Sequence, residues 1–134
     1  TSFKLALLGG EMDFSSDTSQ VFKVALYTSS ATLDADTTVY STTNEVSGTG
    51  YTALGKTITP TITTSGTTAY IDFADVSWTS STITARGALI YKYDSSTNPA
   101  IVVLDFGADK TSSSTTFAVA FPTAAAASAL IRVK

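Results

Sequence analysis

The chain has 134 residues, a length that suits one domain, and carries a formal net charge of −3. It contains no cysteine and no histidine, which excludes disulfides, a cysteine nucleophile, and the commonest general base and metal ligand in proteins. Serine and threonine form about a third of the chain and charged residues only 14%, a composition typical of β-structure with a weakly charged surface.

The basic and apolar residues are both dispersed. The eight lysines and arginines form no cluster, so the sequence does not predict a nucleic-acid partner. No apolar run approaches the ~20 residues of a membrane span, so we expect no membrane partner. The first residues also lack the apolar run and cleavage site of a secretory signal. Residues 1–20 are expected to form an N-terminal arm or a first strand, and residues 21–134 a single β-domain.

The first half of that domain alternates between strands and a long irregular stretch. Residues 21–28 (VFKVALYT) predict a strand. Residues 29–56 have few periodic apolar positions and predict a long excursion, which in a small domain is usually functional or interface-forming. Residues 57–64 and 68–76 predict a β-hairpin around the turn TSGT. Pro60 cannot donate to a ladder and predicts that the first of these strands lies at a sheet edge.

The second half predicts another hairpin. Residues 81–93 read as a long strand with a bulge or close approach at Gly87. DSSTNP follows with turn chemistry, and residues 100–107 return as a nearly continuous apolar run, which predicts a central strand buried on both faces. A loop (ADKTSSS), a strand over residues 115–121 and a terminal strand (ALIRVK) complete the chain, and the alanine-rich stretch at 123–130 has the composition for one or two helical turns.

This succession of short strands and polar turns predicts the fold class. We expect an all-β protein: a single antiparallel β-sandwich or jelly-roll-like barrel of about seven to eight strands.

The triplet Asp105-Phe106-Gly107 is the first candidate for chemistry. Asp-Phe-Gly holds magnesium in protein kinases, but only together with a glycine-rich loop, a strand lysine and a catalytic loop, none of which occurs here. A structural role is therefore expected, in which Asp105 pairs with Arg86 on the preceding strand. The alternative for Arg86 is an exposed contact residue.

The remaining candidates are weak. Asp34 and Asp36 have a spacing seen in calcium loops, and Asn44 and Glu45 are near enough in sequence to complete an irregular site. The rest of the loop pattern is absent, and a solvated loop is the favoured interpretation. Without histidine, serine nucleophiles have no ordinary base, and nothing singles out a pair of acids for glycoside hydrolysis. We predict no catalytic residue, no metal and no cofactor.

Four stretches carry a resemblance to known proteins: FKVALYTSSATLDADTTVYSTTNEVSGTGYTALG, DVSWTSSTITARGALIYKYD, AIVVLDFGADKTSSSTTFAVAFP and the terminal LIRVK. Together they cover most of the chain from Phe22 onward and resemble a family of small virion structural proteins of tailed bacteriophages. The motifs are fold-forming rather than catalytic.

That resemblance implies a non-enzymatic part of the virus particle. The first expectation is a capsid decoration (cement) protein on the outer surface of the virion. It would bind and stabilise the lattice of the major capsid protein, or contact other virion proteins, and form a homo-oligomer on the particle. The alternatives are a neck, head-fibre or tail-fibre component, or a carbohydrate-binding module in host recognition. The last would display Trp78 or several tyrosines on its surface, whereas we expect Trp78 in the core.

The long excursion supplies the candidate interface. Left exposed, its larger apolar side chains would form an irregular apolar patch, whereas a neighbouring subunit could cover them, and tyrosine is favoured at such contacts. In the alternative, the excursion folds back and covers the open end of the sandwich. We predict that a partner chain buries the following residues: Tyr40, Val46, Tyr51 and Leu54.

Overall fold

A computed structural model describes residues 2–16, 19–94 and 96–134 of the chain. Over these residues the protein is all-β, as predicted, with seven strands and one short helix. In chain order the elements are α1 (Ser2–Leu8), β1 (Val21–Tyr27), β2 (Lys56–Ile58), β3 (Pro60–Ser65), β4 (Thr68–Phe73), β5 (Val76–Tyr93), β6 (Ala100–Val119) and β7 (Ile131–Val133).

The strands form two open antiparallel sheets, a four-stranded sheet in the order β2-β1-β5-β6 and a three-stranded sheet in the order β3-β4-β7. Side chains from both sheets meet in one apolar core, with Phe22 and Leu26 on β1, Phe73 on β4 and Trp78 on β5 all almost fully buried. A second, smaller cluster lies on the other face of the four-stranded sheet, around Leu89 and Tyr91.

The predicted hairpin of β5 and β6 is confirmed. Ile90 lies opposite Val102 and Gly87 opposite Asp105 in an antiparallel ladder. The register shifts between Ala85 and Gly87, so that residues 106–109 of β6 lie opposite the single residue Arg86, and the bulge expected at Gly87 is present. In the connecting turn, the Asp94 carboxylate accepts N–H bonds from three backbone groups: Ser96, Thr97 and Asn98. Ser95 of that turn lies outside the described residues.

Two predictions for β6 are wrong. The apolar run at residues 100–107 is not a central strand, because β6 lies at the end of its sheet and leaves Val103 and Leu104 only half-buried. The central position belongs to β5, which lies between β1 and β6. The loop expected at ADKTSSS is instead strand, because these threonines and serines continue the ladder with β5.

The predicted strand at residues 57–64 divides at Thr59. Lys56–Ile58 pairs with β1 as β2, whereas Pro60–Ser65 pairs with β4 as β3, so the two pieces belong to different sheets. The edge position that Pro60 predicted is confirmed, because β3 is the terminal strand of its sheet.

The N-terminal segment is a helix followed by core residues, not a first strand. Phe3, Ala6 and Leu7 of α1 pack against the main core, and Met12 and Phe14 are buried in it. The helix ends at Leu8, and Gly10, two residues further on, has the left-handed φ of 75° that is common just beyond a helix terminus. Two reverse-turn hydrogen bonds close this end, from Gly10 N to Leu7 O and from Glu11 N to Ala6 O.

The alanine-rich stretch at residues 123–130 forms one hydrogen-bonded turn, in which the N–H groups of Ser128 and Ala129 donate to Ala125 O (3.1 and 2.9 Å), but no regular helix. Across the described residues, no helix combines the length and apolar character needed to cross a membrane.

Candidate binding segment over the four-stranded sheet

Residues 29–55, here called the cover segment, fold back over the four-stranded sheet and hydrogen-bond to its strands. Val46 N donates to Leu26 O of β1 (2.8 Å). In the other direction, Ala100 N of β6 donates to Thr38 O (2.8 Å) and Thr82 N of β5 donates to Thr49 O (2.9 Å). At Gly55 the backbone passes so close to β1 that a Cβ would collide with the carbonyl of Val24. The cover segment is therefore fixed along its length by backbone contacts.

Glu45 is the centre of a side-chain cluster that holds the cover segment in place. One of its carboxylate oxygens accepts a hydrogen bond from the Tyr40 hydroxyl (2.5 Å) and the other from the Tyr51 hydroxyl (2.7 Å). The Tyr51 oxygen also accepts the backbone N–H of Leu26 in β1 (2.9 Å). A continuous chain of hydrogen bonds thus runs from the sheet backbone to the carboxylate and on to a second tyrosine.

Two further tyrosines bind the cover segment from the sheet side. The Tyr27 hydroxyl of β1 donates to Ser41 O (2.6 Å) and the Tyr91 hydroxyl of β5 donates to Leu54 O (2.9 Å). The ring of Tyr40 stacks on that of Tyr91 with 4.7 Å between centroids. These contacts cover the second apolar cluster, so both faces of the sheet are buried at this end.

Burial and the nearby negative charge of Glu45 keep the phenols of all four tyrosines protonated at neutral pH. Burial raises the pKa of Tyr27 from 10 to about 12, with a smaller contribution from the negative charge of Glu45. Burial also raises the pKa of Tyr40, Tyr51 and Tyr91, and the Glu45 charge acts in the same direction on each. The tyrosines therefore serve as hydrogen-bond donors to a carboxylate and to backbone carbonyl groups.

The structure places the predicted interface residues against the chain's own sheet. Val46 is 3% exposed and belongs to the main core, so its side chain is not available to a partner. Tyr51 is half-buried beside Trp78, with 5.7 Å between ring centroids, and Tyr40 and Leu54 are half-buried as well. Burial of these side chains against a partner stays a prediction, and the arrangement observed is the alternative in which the excursion covers the sheet.

Glu45 is the residue whose role sequence reasoning missed, since it was considered only as a calcium ligand. The signal was present as a lone acid five residues from one tyrosine and six from another. Among the large apolar side chains of the cover segment, Val39 is the one that faces solvent, with 46% of its surface exposed. It lines a shallow cavity of about 360 Å³ together with Tyr27, Leu33 and Asn44.

Asp34 and Asp36 also line that cavity, but the Asp34 carboxylate accepts the backbone N–H of Asp36 (2.8 Å) and so closes a turn. Asn44 donates to Ser30 O, and Glu45 is held by the tyrosines. The described residues contain no group of three or more acidic side chains able to hold a metal ion.

Arg86 and Asp105 form an ion pair across the hairpin, with 3.1 Å between Nε and Oδ1. The same carboxylate oxygen accepts the N–H of Gly107 (2.8 Å). The hydrogen bond from Arg86 is the main cause of a lowered Asp105 pKa, and the bond from Gly107 adds to it. Phe106 packs near Phe117, with 6.3 Å between centroids. The Asp-Phe-Gly triplet therefore shapes the bulge between β5 and β6.

Comparisons of this chain with family models, with curated proteins and with solved structures return no significant match.

Proposed function

We propose that this protein is a non-enzymatic structural protein of a tailed-bacteriophage virion, and that it acts as a capsid decoration (cement) protein on the outer surface of the particle. The assignment to phage virions rests on the sequence resemblance from Phe22 onward. The neck, head-fibre and tail-fibre roles are the alternatives within the same class. We further propose that its two sheets pack face to face as a β-sandwich, since both contribute to one core.

The observation that carries a binding role is the surface of the distal hairpin, here defined as residues 76–86 of β5 and 110–119 of β6. Its buried face is mainly apolar, with Trp78, Ile83 and Phe117, and also contains the mutually hydrogen-bonded hydroxyls of Ser81 and Ser112. Its exposed positions are rich in hydroxyl groups and include Thr82, Thr84, Thr111, Ser113, Ser114, Thr115 and Thr116. From Thr111 to Val119 the strand carries no charge.

Such a surface suits coverage by a neighbouring protein. Charged residues are depleted from the centres of protein interfaces because their desolvation is costly. Hydroxyl groups can donate and accept hydrogen bonds, and these are already ordered on a rigid strand pair, where the Thr84 and Thr111 hydroxyls lie 3.0 Å apart. A carbohydrate-binding role receives less support, because Trp78 is 1% exposed and cannot serve as a sugar-stacking platform.

The test is binding of the purified protein to heads of its phage that lack it, followed by cryo-electron microscopy. We expect density on the outside of the capsid shell, and Thr84→Glu or Thr111→Glu should reduce occupancy while leaving the fold intact. Val39→Asp is the matched variant on the cover segment. Loss of binding only in Val39→Asp would show that the cover segment, and not the distal hairpin, contacts the capsid. Density at the neck or fibres would select the alternative role, and absence of the protein from purified particles would overturn the proposal.

A further inference from the structure

Helix α1 exposes large apolar side chains on the side that faces away from the core. Phe3, Ala6 and Leu7 face the core, whereas Leu5 and Leu8, three residues apart on the outer side, are 68% and 87% exposed. A helix that is apolar on both sides is normally buried on both sides. Single exposed leucines are common, but two on one helix face beside a further apolar surface mark an interaction site.

That further surface is the three-stranded sheet next to α1. Ile62 lies opposite Ile71, which lies opposite Ile131, so these isoleucines share one face of the sheet, on which Ile71 is buried in the main core and Ile62 is exposed. Ile62 and Val133 at the ends of this face are 49% and 56% exposed. With Leu7 and Met12 they line an apolar groove of about 210 Å³ between the helix and the sheet. An apolar cavity of about 150 Å³ already holds a benzene molecule, so the groove can accept a leucine side chain.

The charges that flank α1 are complementary under a two-fold rotation. Lys4 lies near the start of the helix and Glu11 just beyond its end, and both are exposed. Among the described residues the one ion pair is that of Arg86 and Asp105, so neither Lys4 nor the Glu11 carboxylate has an ion-pair partner among them. When two copies of α1 pack antiparallel with Leu5 opposite Leu8, Lys4 of each copy comes within reach of Glu11 of the other.

From these observations we infer that the outer face of α1 is a self-association surface that takes a second copy of this chain, with α1 packed antiparallel against α1. Leu5 and Leu8 form its centre, the groove beside Leu7 receives the partner's apolar side chains, and two symmetric Lys4–Glu11 pairs flank it. A seven-residue helix buries less than a standard interface, so the association is weak, in the micromolar to millimolar range. The inference is independent of the proposed virion role, because it concerns the purified chain in solution.

Sedimentation velocity over a range of protein concentrations tests the surface. We expect a reversible monomer–dimer equilibrium, weakened on the order of 100-fold by Leu8→Asp, which places a charge in each half of the contact. Val39→Asp, which alters an exposed valine on the cover segment, is the matched control and should leave the equilibrium unchanged. Circular dichroism verifies that both variants are folded. A chain that stays monomeric at millimolar concentration, or a dimer lost in Val39→Asp and kept in Leu8→Asp, overturns the inference.

A charge exchange tests the antiparallel arrangement. Lys4→Glu and Glu11→Lys should each weaken the homodimer several-fold, because each brings two like-charged pairs together. An equimolar mixture of the two variants should form a heterodimer tighter than either homodimer, because both flanking pairs are then complementary. A heterodimer that binds no more tightly than the two homodimers contradicts the antiparallel arrangement. So does a monomeric chain that uses Leu8 to bind vesicles of neutral phospholipid, because the surface would then contact lipid.

Discussion

The two halves of the β5–β6 hairpin differ in how many of their faces are covered. In the proximal half, residues 87–91 of β5 are all buried, because the main core covers Ala88 and Ile90 while the cover segment covers Leu89 and Tyr91. In the distal half, burial alternates along most of the strand, with mainly apolar side chains on the core face and threonine and serine hydroxyls exposed on the other. The same two strands thus change from a buried layer to a surface layer within one hairpin.

This difference shows what the cover segment contributes. A strand buried on both faces needs a second apolar partner, and here that partner is an irregular segment held by four tyrosines and one carboxylate. Along the distal half the segment pairs with β5 through Thr49 and Thr82 and leaves one face of the strand open, so β5 there shows the alternation expected of a sheet with one solvated face. Stability should therefore be concentrated in the proximal half, and surface function in the distal half.

The largest effect should come from truncating the side chain that the cover segment buries. Leu89→Ala should lower the free energy of unfolding by about 2–5 kcal/mol, because it leaves a cavity between the sheet and the cover segment. Val103→Ala, at a half-buried position on the edge strand, is the matched comparison and should cost about 1 kcal/mol. Urea unfolding measures both. Equal costs at the two positions would show that the cover segment does not bury the sheet.

Removing one hydroxyl of the Glu45 cluster should have the next largest effect. Tyr51→Phe leaves the Leu26 N–H without its acceptor and removes one donor from Glu45, at a cost of about 1–3 kcal/mol. Tyr93→Phe is the matched control, since no hydrogen bond of that hydroxyl occurs in the described structure and the contact of its ring with Lys23 is retained. If Tyr51→Phe melts at the same temperature as the wild type, the Glu45 cluster does not stabilise the position of the cover segment.

The same cluster predicts sensitivity to alkali. The folded chain holds the Tyr27 proton up to a pKa of about 12, whereas the unfolded chain releases it near 10. The unfolded state therefore binds fewer protons in this window, and stability should fall as pH rises from about 10 to about 12. Ultraviolet titration of the phenols should show Tyr27, Tyr40, Tyr51 and Tyr91 ionising above the ordinary range. Glu45→Gln should move these ionisations to lower pH, and unchanged titration curves would contradict the assignment.

A smaller effect is expected at the hairpin turn. Asp94→Ala removes the acceptor for three backbone N–H groups and should cost about 1 kcal/mol at neutral pH. Those N–H groups lower the Asp94 pKa below its ordinary value of 3.8. This stabilisation is therefore complete above that value and is lost as pH falls below it. Asp36→Ala, whose carboxylate has no partner within the described residues, is the control. If the two variants unfold at the same pH in acid, the Asp94 turn is not the source of the stability that is lost at low pH.

The smallest effect belongs to the exposed face of the distal half. Thr111→Val removes the hydroxyl contact with Thr84 but keeps the branched side chain, and should change the free energy of unfolding by less than about 0.5 kcal/mol. Thermal melting is sufficient to measure it. A loss above 1 kcal/mol would show that the hydroxyl face stabilises the fold and is not reserved for binding.

The sequence predicted those parts of the fold that local patterns determine. Apolar alternation, turn residues and Gly87 were sufficient for the β5–β6 hairpin and its bulge, and Pro60 was sufficient for the edge position of β3. The position of β6 in its sheet could not be predicted in this way. An apolar run indicates burial, but only the arrangement of distant strands decides whether another strand lies beside it.

The cover segment and α1 were harder to predict from the sequence, for different reasons. The cover segment has no periodicity, and its position depends on hydrogen bonds from single tyrosines to a carboxylate and to carbonyl groups far away in sequence. Helix α1 is too short for a helical period to be evident, although the glycine pair at residues 9–10 marked its end. In both cases tertiary contacts, rather than local preference, decide the structure.

Met12 makes the attachment of the N-terminal segment chemically observable. With no cysteine and one methionine, the chain contains a single sulfur atom, and it lies in a side chain that is 5% exposed beneath α1. Peroxide converts methionine to a polar sulfoxide only when it can reach the sulfur. The rate at which mass spectrometry detects one added oxygen thus reports how often Met12 becomes exposed, by detachment of residues 2–16 or by global unfolding, without any label or substitution.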